Sequence, residues 1–486
     1  MILGGFPITE VFLIVATLLI VSVLASRVSD RFGVPALLFF LIAGMLAGSE
    51  GPGGIYFDDF KLAQAVGVVA LVFILFAGGL DTQWSRVRPV LWEGAVLGTL
   101  GVLIGAIAAG LFAHLVLGMP LLVGLLIASI GSSTDAAAVF AVMRSGGFRL
   151  RGLLAPLLEL ESGSNDPMAI FLTVGCLQLI TVPGASPLDL VVRFFVQMSL
   201  GVLIGILAGK LAARLINRLR LGYDGLYPVV TVATVLLVYG VAETVGGNGF
   251  MTAYVFGIAL GNQQFVHKRS LTQFHDGLAW LMQIVMFLAL GLLVFPSELA
   301  PNMGVGLLFT AFVMFVARPI SVFLCMLPSK MHLREKLFVS WAGLRGAAPI
   351  VLATYPALAG IPEAREIFHI VFFVVLVSVL AQGATLTPVA RWLKVLAAPG
   401  EADDGQSMHA LSEQLRELVI PPDSSAVHRT VVELGLPEGF LIVLVRRERS
   451  SMIPNGNTRI LAGDRLMVLA EDEIFNQVAG KLTHAA

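Results

Sequence analysis

Glu161-Ser162-Gly163-Ser164-Asn165-Asp166-Pro167 places two acids, two hydroxyls and an amide inside an otherwise apolar run. The run extends from Gly152 to about Ile180, long enough to span a bilayer. A carboxylate at membrane depth is costly unless it is paired, hydrated or protonated, so acids placed there mark a functional site. A span ending early, with its acids in a solvated loop, is disfavoured because Met168–Val174 continues the apolar run. Such a chain is built to move something charged across a membrane.

The composition agrees. Apolar residues make up 57% of the 486 residues and charged ones only 13%, outside the range of soluble proteins of this length. A net charge of −1 gives no sign of a nucleic-acid partner. Cys176 and Cys325 both fall in apolar spans, against a disulfide framework or a metal site. The first apolar span, about Glu10 to Ser26, has no basic residue before it and reads as a retained helix rather than a cleaved signal.

Hydropathy gives thirteen spans, roughly 10–26, 34–48, 62–80, 90–117, 120–143, 152–180, 188–208, 225–245, 250–266, 277–296, 303–327, 337–359 and 366–390. Alternate loops differ in charge. One set holds Arg27, Arg31, Arg86, Arg88, Arg144, Arg149, Arg151, Lys210, Arg214, Arg218, Arg220, Lys268, Arg269, Lys330, Arg334, Lys336, Arg391 and Lys394. The other holds little beyond Lys61 and Arg365, with acids at Glu50, Asp58, Asp59, Glu298, Glu363 and Glu366. The positive-inside rule then puts the amino terminus outside and the carboxyl end in the cytoplasm, with the plasma membrane as the location.

Near Ala398 the character changes. The last 88 residues carry 21 of the 63 Asp, Glu, Lys and Arg. A polar linker, 398–409, separates a membrane domain, 1–397, from a tail, 410–486. In the tail, β-like runs at Leu418–Ile420, Phe440–Val445 and Arg465–Leu469 lie between turn signals, with helices expected near His428–Leu434 and Asp472–Leu482. The expected architecture is an all-α polytopic membrane protein plus a small cytoplasmic α+β domain.

The fifth span contains Gly131-Ser-Ser-Thr-Asp135, poor in a plain helix but suited to a break whose freed backbone groups line a wet cavity. Seven spans later comes Gly343-Leu-Arg-Gly-Ala-Ala-Pro349. Interrupted helices in corresponding halves point to a midplane binding site, and an odd offset fits inverted repeats with two crossed broken helices. Asp135, Glu161 and Asp166 face two candidate cations, Arg318 and Arg345. Glu161 and Asp166 are about 500° apart around a helix, so one can be neutralised structurally while the other stays free to hold a proton or a cation. Glu159 reads equally as a neighbour of this site or as the lining of a cytoplasmic cavity, Glu243 and His114 as interfacial, His369 as solvated, and Gly246-Gly-Asn-Gly-Phe250 as a turn.

Together, Glu161 to Asp166, Ser133-Thr134-Asp135, Arg318-Pro319 and Gly343-Leu-Arg-Gly346 resemble the monovalent cation/proton antiporters of the NhaP and sodium–hydrogen-exchanger type, over about residues 10–395. Phe32-Gly-Val-Pro35 through Gly44-Met-Leu-Ala-Gly48 resembles their second helix. The wording around Asp135 is close to bacterial potassium/proton antiporters of the cell-volume-regulation class, with one extra serine. The resemblance implies that Asp166 alternately binds proton and cation beside Asn165, and that Thr134 and Ser162 are ligands of K+ or Na+. It implies that Asp135 is the acid of the broken helix and that Glu161 pairs with an arginine, Arg318 first and Arg345 as the alternative. An Asn-Asp pair goes with electroneutral exchange. From about residue 410 the chain resembles the TrkA-C (RCK carboxyl-terminal) regulatory module, which implies a homodimer and, in some relatives, a nucleotide ligand. Relatives often carry a further domain, whose regulation is not carried over.

The expectation is therefore an antiporter rather than an enzyme, with no cofactor, exchanging cytoplasmic K+ for external H+. Na+/H+ exchange is the rival within the class. A gated potassium channel is the rival outside it, although no Thr-Val-Gly-Tyr-Gly filter is present. A membrane sensor lacks a kinase- or cyclase-like output.

Overall fold

The computed structural model describes residues 2–3, 6–32, 36–219, 221–397, 415–437, 439–447, 450–470 and 472–483. The linker 398–409, the residues at 33–35 of the second-helix motif and Arg220 lie outside the described residues. The chain divides into two units, Met1–Ala397 and Ala398–Ala486.

The first unit opens with a short ribbon of β1 (Ile2–Leu3) and β2 (Phe6–Pro7) and is otherwise helical. Its helices are α1 (Ile8–Phe32), α2 (Ala36–Ala47), α3 (Phe60–Asp81), α4 (Trp84–Leu115), α5 (Leu121–Ile130), α6 (Ala136–Ser145), α7 (Leu154–Thr181) and α8 (Pro187–Arg218). Then come α9 (Leu226–Thr244), α10 (Gly249–Gly261), α11 (Lys268–Leu293), α12 (Pro296–Cys325), α13 (Leu333–Trp341), α14 (Ala348–Leu358) and α15 (Ala364–Leu393). Among the described residues, α3, α4, α8, α9, α11, α12 and α15 are long and apolar enough to cross a membrane. With 28 residues α7 has the length, but it carries Glu159, Glu161 and Asp166.

Local chemistry sets the helix starts. Asp59 accepts from the amides of Lys61 and Leu62 to cap α3, Ser186 caps α8 with Pro187 in its first turn, and Asn248 accepts from Met251 to cap α10. Asn248 closes the Gly246–Phe250 turn expected from sequence. Helix α8 runs ten residues beyond the expected 208, so Lys210, Arg214 and Arg218 lie on helix rather than loop. Its hydrogen bonds continue past the apolar stretch because long basic side chains can snorkel towards water.

Two bundles share the unit. One packs α2 and α3 on α11, α3 and α8 on α10, and α1 on α2; the other packs α4 on α5, α5 on α7, α12 on α15, and α13 and α14 on α15. Glycines allow the closest approaches: a Cβ at Gly205 of α8 would stand 2.9 Å from the Thr252 carbonyl of α10. Helices α3 and α10 touch α14 and α7 respectively, joining the bundles.

The second unit contains β3 (Leu415–Val419), β4 (Leu441–Arg447), β5 (Ser450–Met452), β6 (Arg465–Leu469) and α16 (Asp472–Thr483). Its antiparallel sheet has the order β3-β6-β4-β5. Leu466 and Val468, alternating on β6, and Ile442 and Val445, set either side of a bulge on β4, form its core with Val478 and Leu482 of α16. The helix expected near His428–Leu434 is absent. The amides of His428 and Val431 bond the carbonyls of Ile460 and Thr458, and Thr430 and Glu433 bond each other's amides. The long-range bonds to Ile460 and Thr458 and three consecutive β-branched residues, Thr430–Val432, outweigh the capping-box pattern of Thr430 and Glu433 and favour this turn over a helix.

Candidate cation and proton site

Five residues, Gly131–Asp135, separate α5 from α6, and six, Ala342–Ala347, separate α13 from α14. The two breaks touch where the Asp135 amide donates to the Leu344 carbonyl at 2.7 Å. Only a glycine fits at 346, since a Cβ there would stand 2.6 Å from the Asp135 Cβ. Each break leaves backbone groups that hydrocarbon cannot satisfy, so the residues around them must supply the partners.

Those partners can be traced one by one. Asp135 caps α6, accepting from Ala138 at 3.0 Å, so a negative charge meets the positive end of that half-helix. Arg345, from the other break, donates to the carbonyls of Ser132 and Ser133 at the negative end of α5. On α7, the Ser162 hydroxyl donates to the Thr134 carbonyl at 2.9 Å and accepts from the Ala136 amide at 3.1 Å. Asn165 donates to the Thr134 hydroxyl at 2.5 Å. The Ser133 hydroxyl donates to Asp166. Asp166, Asn165, Asp135, Thr134 and Ser162 therefore meet at one place, the crossing of the two broken helices beside α7.

Glu161 points elsewhere. Its carboxylate lies 2.5 Å from the Arg318 guanidinium, and both side chains are buried, with 1% and 6% of their surface exposed. The guanidinium also donates to the Val339 carbonyl at 3.3 Å. Among the described residues Arg318, not Arg345, is the cation against Glu161. A π turn, Val313–Ala317, immediately precedes Arg318 in α12, and such widened turns gather at functional sites.

Charge counting defines what this place can do. Two buried carboxylates, Glu161 and Asp166, and the half-buried Asp135 lie in one region with two buried guanidiniums, Arg318 and Arg345. With all five ionised, one negative charge is left over, which a single proton or a single monovalent cation neutralises. Asp166 is buried with a hydroxyl against it and, among the described residues, no cation. Hydroxyl, carbonyl and carboxylate oxygens are the donors a dehydrated alkali cation needs.

The structure adds partners that the sequence alone does not show. Ser133 reaches Asp166, while Ser132 bonds the Ser129 carbonyl. Asp81 and Asp276 stand side by side near Arg144, and Glu159 lies near Asp81 and Arg86. Ser378 and Gln382, buried on α15, bond the second break. Polar residues four apart inside an apolar run were the available signal for that pair. His369, expected to be solvated, is buried, with Nδ1 3.0 Å from Asn302 and Nε2 3.6 Å from Glu298. Arg365 joins this group, bonding Glu298 at 3.0 Å and Asp58 at 2.6 Å. Nearby, the hydroxyl and amide of Ser297 hold the Glu50 carboxyl below the usual carboxylate range.

Crossed broken helices around a buried carboxylate define a secondary transporter of a small cation. Comparison with known proteins gives the family. The family model described as "Sodium/hydrogen exchanger, transmembrane" matches residues 14–392, and the TrkA-C domain matches residues 415–482. The chain belongs to the sodium/hydrogen exchanger family and is a multi-pass membrane cation/proton antiporter carrying a TrkA-C domain. It is 38% identical to the K(+)/H(+) antiporter NhaP of Alkalimonas amylolytica, over 98% of this chain and 83% of that protein. It is 39% identical to the K(+)/H(+) antiporter NhaP2 of Shewanella oneidensis, over 98% and 84% respectively. Its fold matches the sodium proton antiporter MjNhaP1 of Methanocaldococcus jannaschii at pH 8 with a TM-score of 0.69 and 24% identity, covering 79% of this chain and 99% of that one.

Proposed function

We propose that this antiporter exchanges cytoplasmic K+ for external H+, one for one, at Asp166. One observation carries the mechanism: among the described residues, of two buried acids on α7, Glu161 has a guanidinium against it and Asp166 a hydroxyl. Proton and cation then compete for the same carboxylate. Asn165 ties α7 to the Thr134 hydroxyl and Ser162 to its carbonyl, so occupancy of Asp166 is felt at the helix break. The names of the relatives at 38–39% identity favour K+. Na+ is the second reading, favoured by a 26% identical relative named Na(+)/H(+) antiporter 1 from Methanocaldococcus jannaschii.

Thirteen crossings in the inner membrane, with the amino terminus outside, follow from the loop charges. The tail is then cytoplasmic, and we assign it a regulatory role in a lipid-embedded homodimer, with a nucleotide among the ligands to be tried. The test is dye-monitored exchange in everted vesicles from cells lacking other antiporters, titrated with KCl and with NaCl. A response to potassium at lower concentration than to sodium is expected. A response to sodium alone would move the assignment to Na+/H+ exchange, and cation flux uncoupled from protons would point to a channel.

A further inference from the structure

We propose that Ser378 and Gln382 of α15 are positioning residues of the cation site: together they splint the break between α13 and α14 and hold Arg345 in place. The inference rests on the reading of Asp166 as the exchange site.

The break leaves two kinds of backbone group without helical partners, carbonyls at the end of α13 and amides along Ala342–Ala347. The Gln382 amide donates to the Trp341 carbonyl, the last residue of α13, at 2.9 Å. The Arg345 amide donates to the Ser378 hydroxyl at 2.9 Å. That hydroxyl in turn donates to the Gln382 side-chain carbonyl at 2.5 Å. Two side chains thus form one bonded unit that reaches from the end of α13 to the middle of the break. They sit on a π turn, Ser378–Gln382, whose wider winding departs from the spacing of an ordinary helix. Both are almost fully buried, at 0% and 1% exposure, so water cannot replace them.

The splint acts at a distance through one residue. Its hydroxyl fixes the Arg345 backbone, the Arg345 guanidinium bonds the Ser132 and Ser133 carbonyls, and the Ser133 hydroxyl bonds Asp166. Loss of the Ser378 hydroxyl leaves a buried amide unmade and lets the Arg345 peptide shift towards another acceptor. The oxygens around Asp166 then lose their placement, which costs affinity for a dehydrated cation more than it costs the fold. An independent bond makes a control: the Trp341 indole donates to the Thr385 hydroxyl at 3.1 Å on the exposed side of α15, outside the splint.

The experiment uses full-length protein in proteoliposomes at matched insertion, titrated with KCl under an imposed pH gradient, with melting temperature measured in parallel. Ser378→Ala and Gln382→Leu should raise the half-saturating potassium concentration at least about fivefold, the factor that goes with one buried donor left unmade, with maximal rate within about twofold. Ser378→Thr, which keeps the hydroxyl, and Thr385→Val should both stay near the parent. The proposal is overturned if either splint variant melts earlier yet keeps the parental half-saturating concentration, or if Thr385→Val shifts that concentration as far. Gln382→Leu gives the same readout should Ser378→Ala fail to insert. Asp166→Asn is assayed alongside. Exchange surviving in that variant removes the site reading itself, whereas an inactive Asp166→Asn with a normal Ser378→Ala removes only the splint.

Discussion

Glu161 and Asp166 stand five residues apart on one helix, both buried, and have opposite surroundings. Glu161 lies against a permanent cation, with Arg318 at 2.5 Å. Asp166 receives a serine hydroxyl. A guanidinium keeps its partner charged whatever the proton concentration. A hydroxyl can turn from donor to acceptor, so it tolerates a carboxylate, a carboxylic acid or a bound cation. The same side-chain chemistry on the same helix thus meets a permanent cation in one place and a hydroxyl in the other, and the difference lies in what another helix brings to it.

The comparison breaks most visibly at Asp166. Asp166→Asn keeps shape and hydrogen bonding but can no longer trade a proton for a cation, so exchange should fall at least about a hundredfold with the fold intact. Proteoliposome flux and size-exclusion chromatography check this together. Substantial cation-dependent proton flux from well-folded Asp166→Asn protein would falsify the mechanism.

The contrasting expectation for Glu161 is one of stability. Removing one member of a buried ion pair strands the other charge, so Glu161→Gln and Arg318→Met should each cost about 3–5 kcal/mol. The double variant should recover part of that loss, because no charge is left unpaired. Thermal melts of the four proteins complete the cycle. Simple addition of the two losses would show that the residues are not energetically coupled.

An ion pair in the second unit, Arg447 with Asp464, sharpens the contrast. Burial works to raise the Asp464 carboxyl, but the Arg447 guanidinium, bonding it at 2.9 and 2.8 Å, and the Leu461 amide outweigh this and hold it below the usual range. Its folded value is depressed, so its contribution is fully present above the unfolded value of about 3.9 and lost as pH falls through the folded one. Asp464→Asn should lower tail stability by about 2 kcal/mol at neutral pH and flatten its decline in acid. Urea midpoints from limited proteolysis of the tail in full-length protein would show it. A parental midpoint in the variant would mean the pair contributes nothing.

The smallest expected effect is on exchange itself when the tail is removed. The second unit has its own core, and none of the residues bonded at the crossing belongs to it. Truncation after about Ala398 should leave maximal exchange within about twofold and change its pH or ligand response. A folded truncated protein with no exchange at any pH would make the tail part of the transport machinery.

Much of this was legible in the chain. An acid in an apolar run is costly wherever the chain goes, so Glu161 and Asp166 announce a site without a fold. Gly131–Asp135 and Gly343–Pro349 announce helix breaks because glycine, proline and clustered hydroxyls disfavour continuous helix. Alternating loop charge and the change of composition near Ala398 are likewise properties of sequence alone.

Partnership was not legible. The choice of Arg318 for Glu161, the reach of Ser133 to Asp166 and the grip of Ser378 and Gln382 on the second break join residues far apart in sequence, and no periodicity encodes them. His369 reads as an exposed end residue until Asn302 and Glu298 are packed against it. His428–Leu434 reads as helix until the Thr458 and Ile460 carbonyls take its amides. Composition determined that charge would be buried here and roughly where. Only tertiary packing decided which acid met a guanidinium and which met a hydroxyl, because that depends on which groups from other helices arrive within bonding distance.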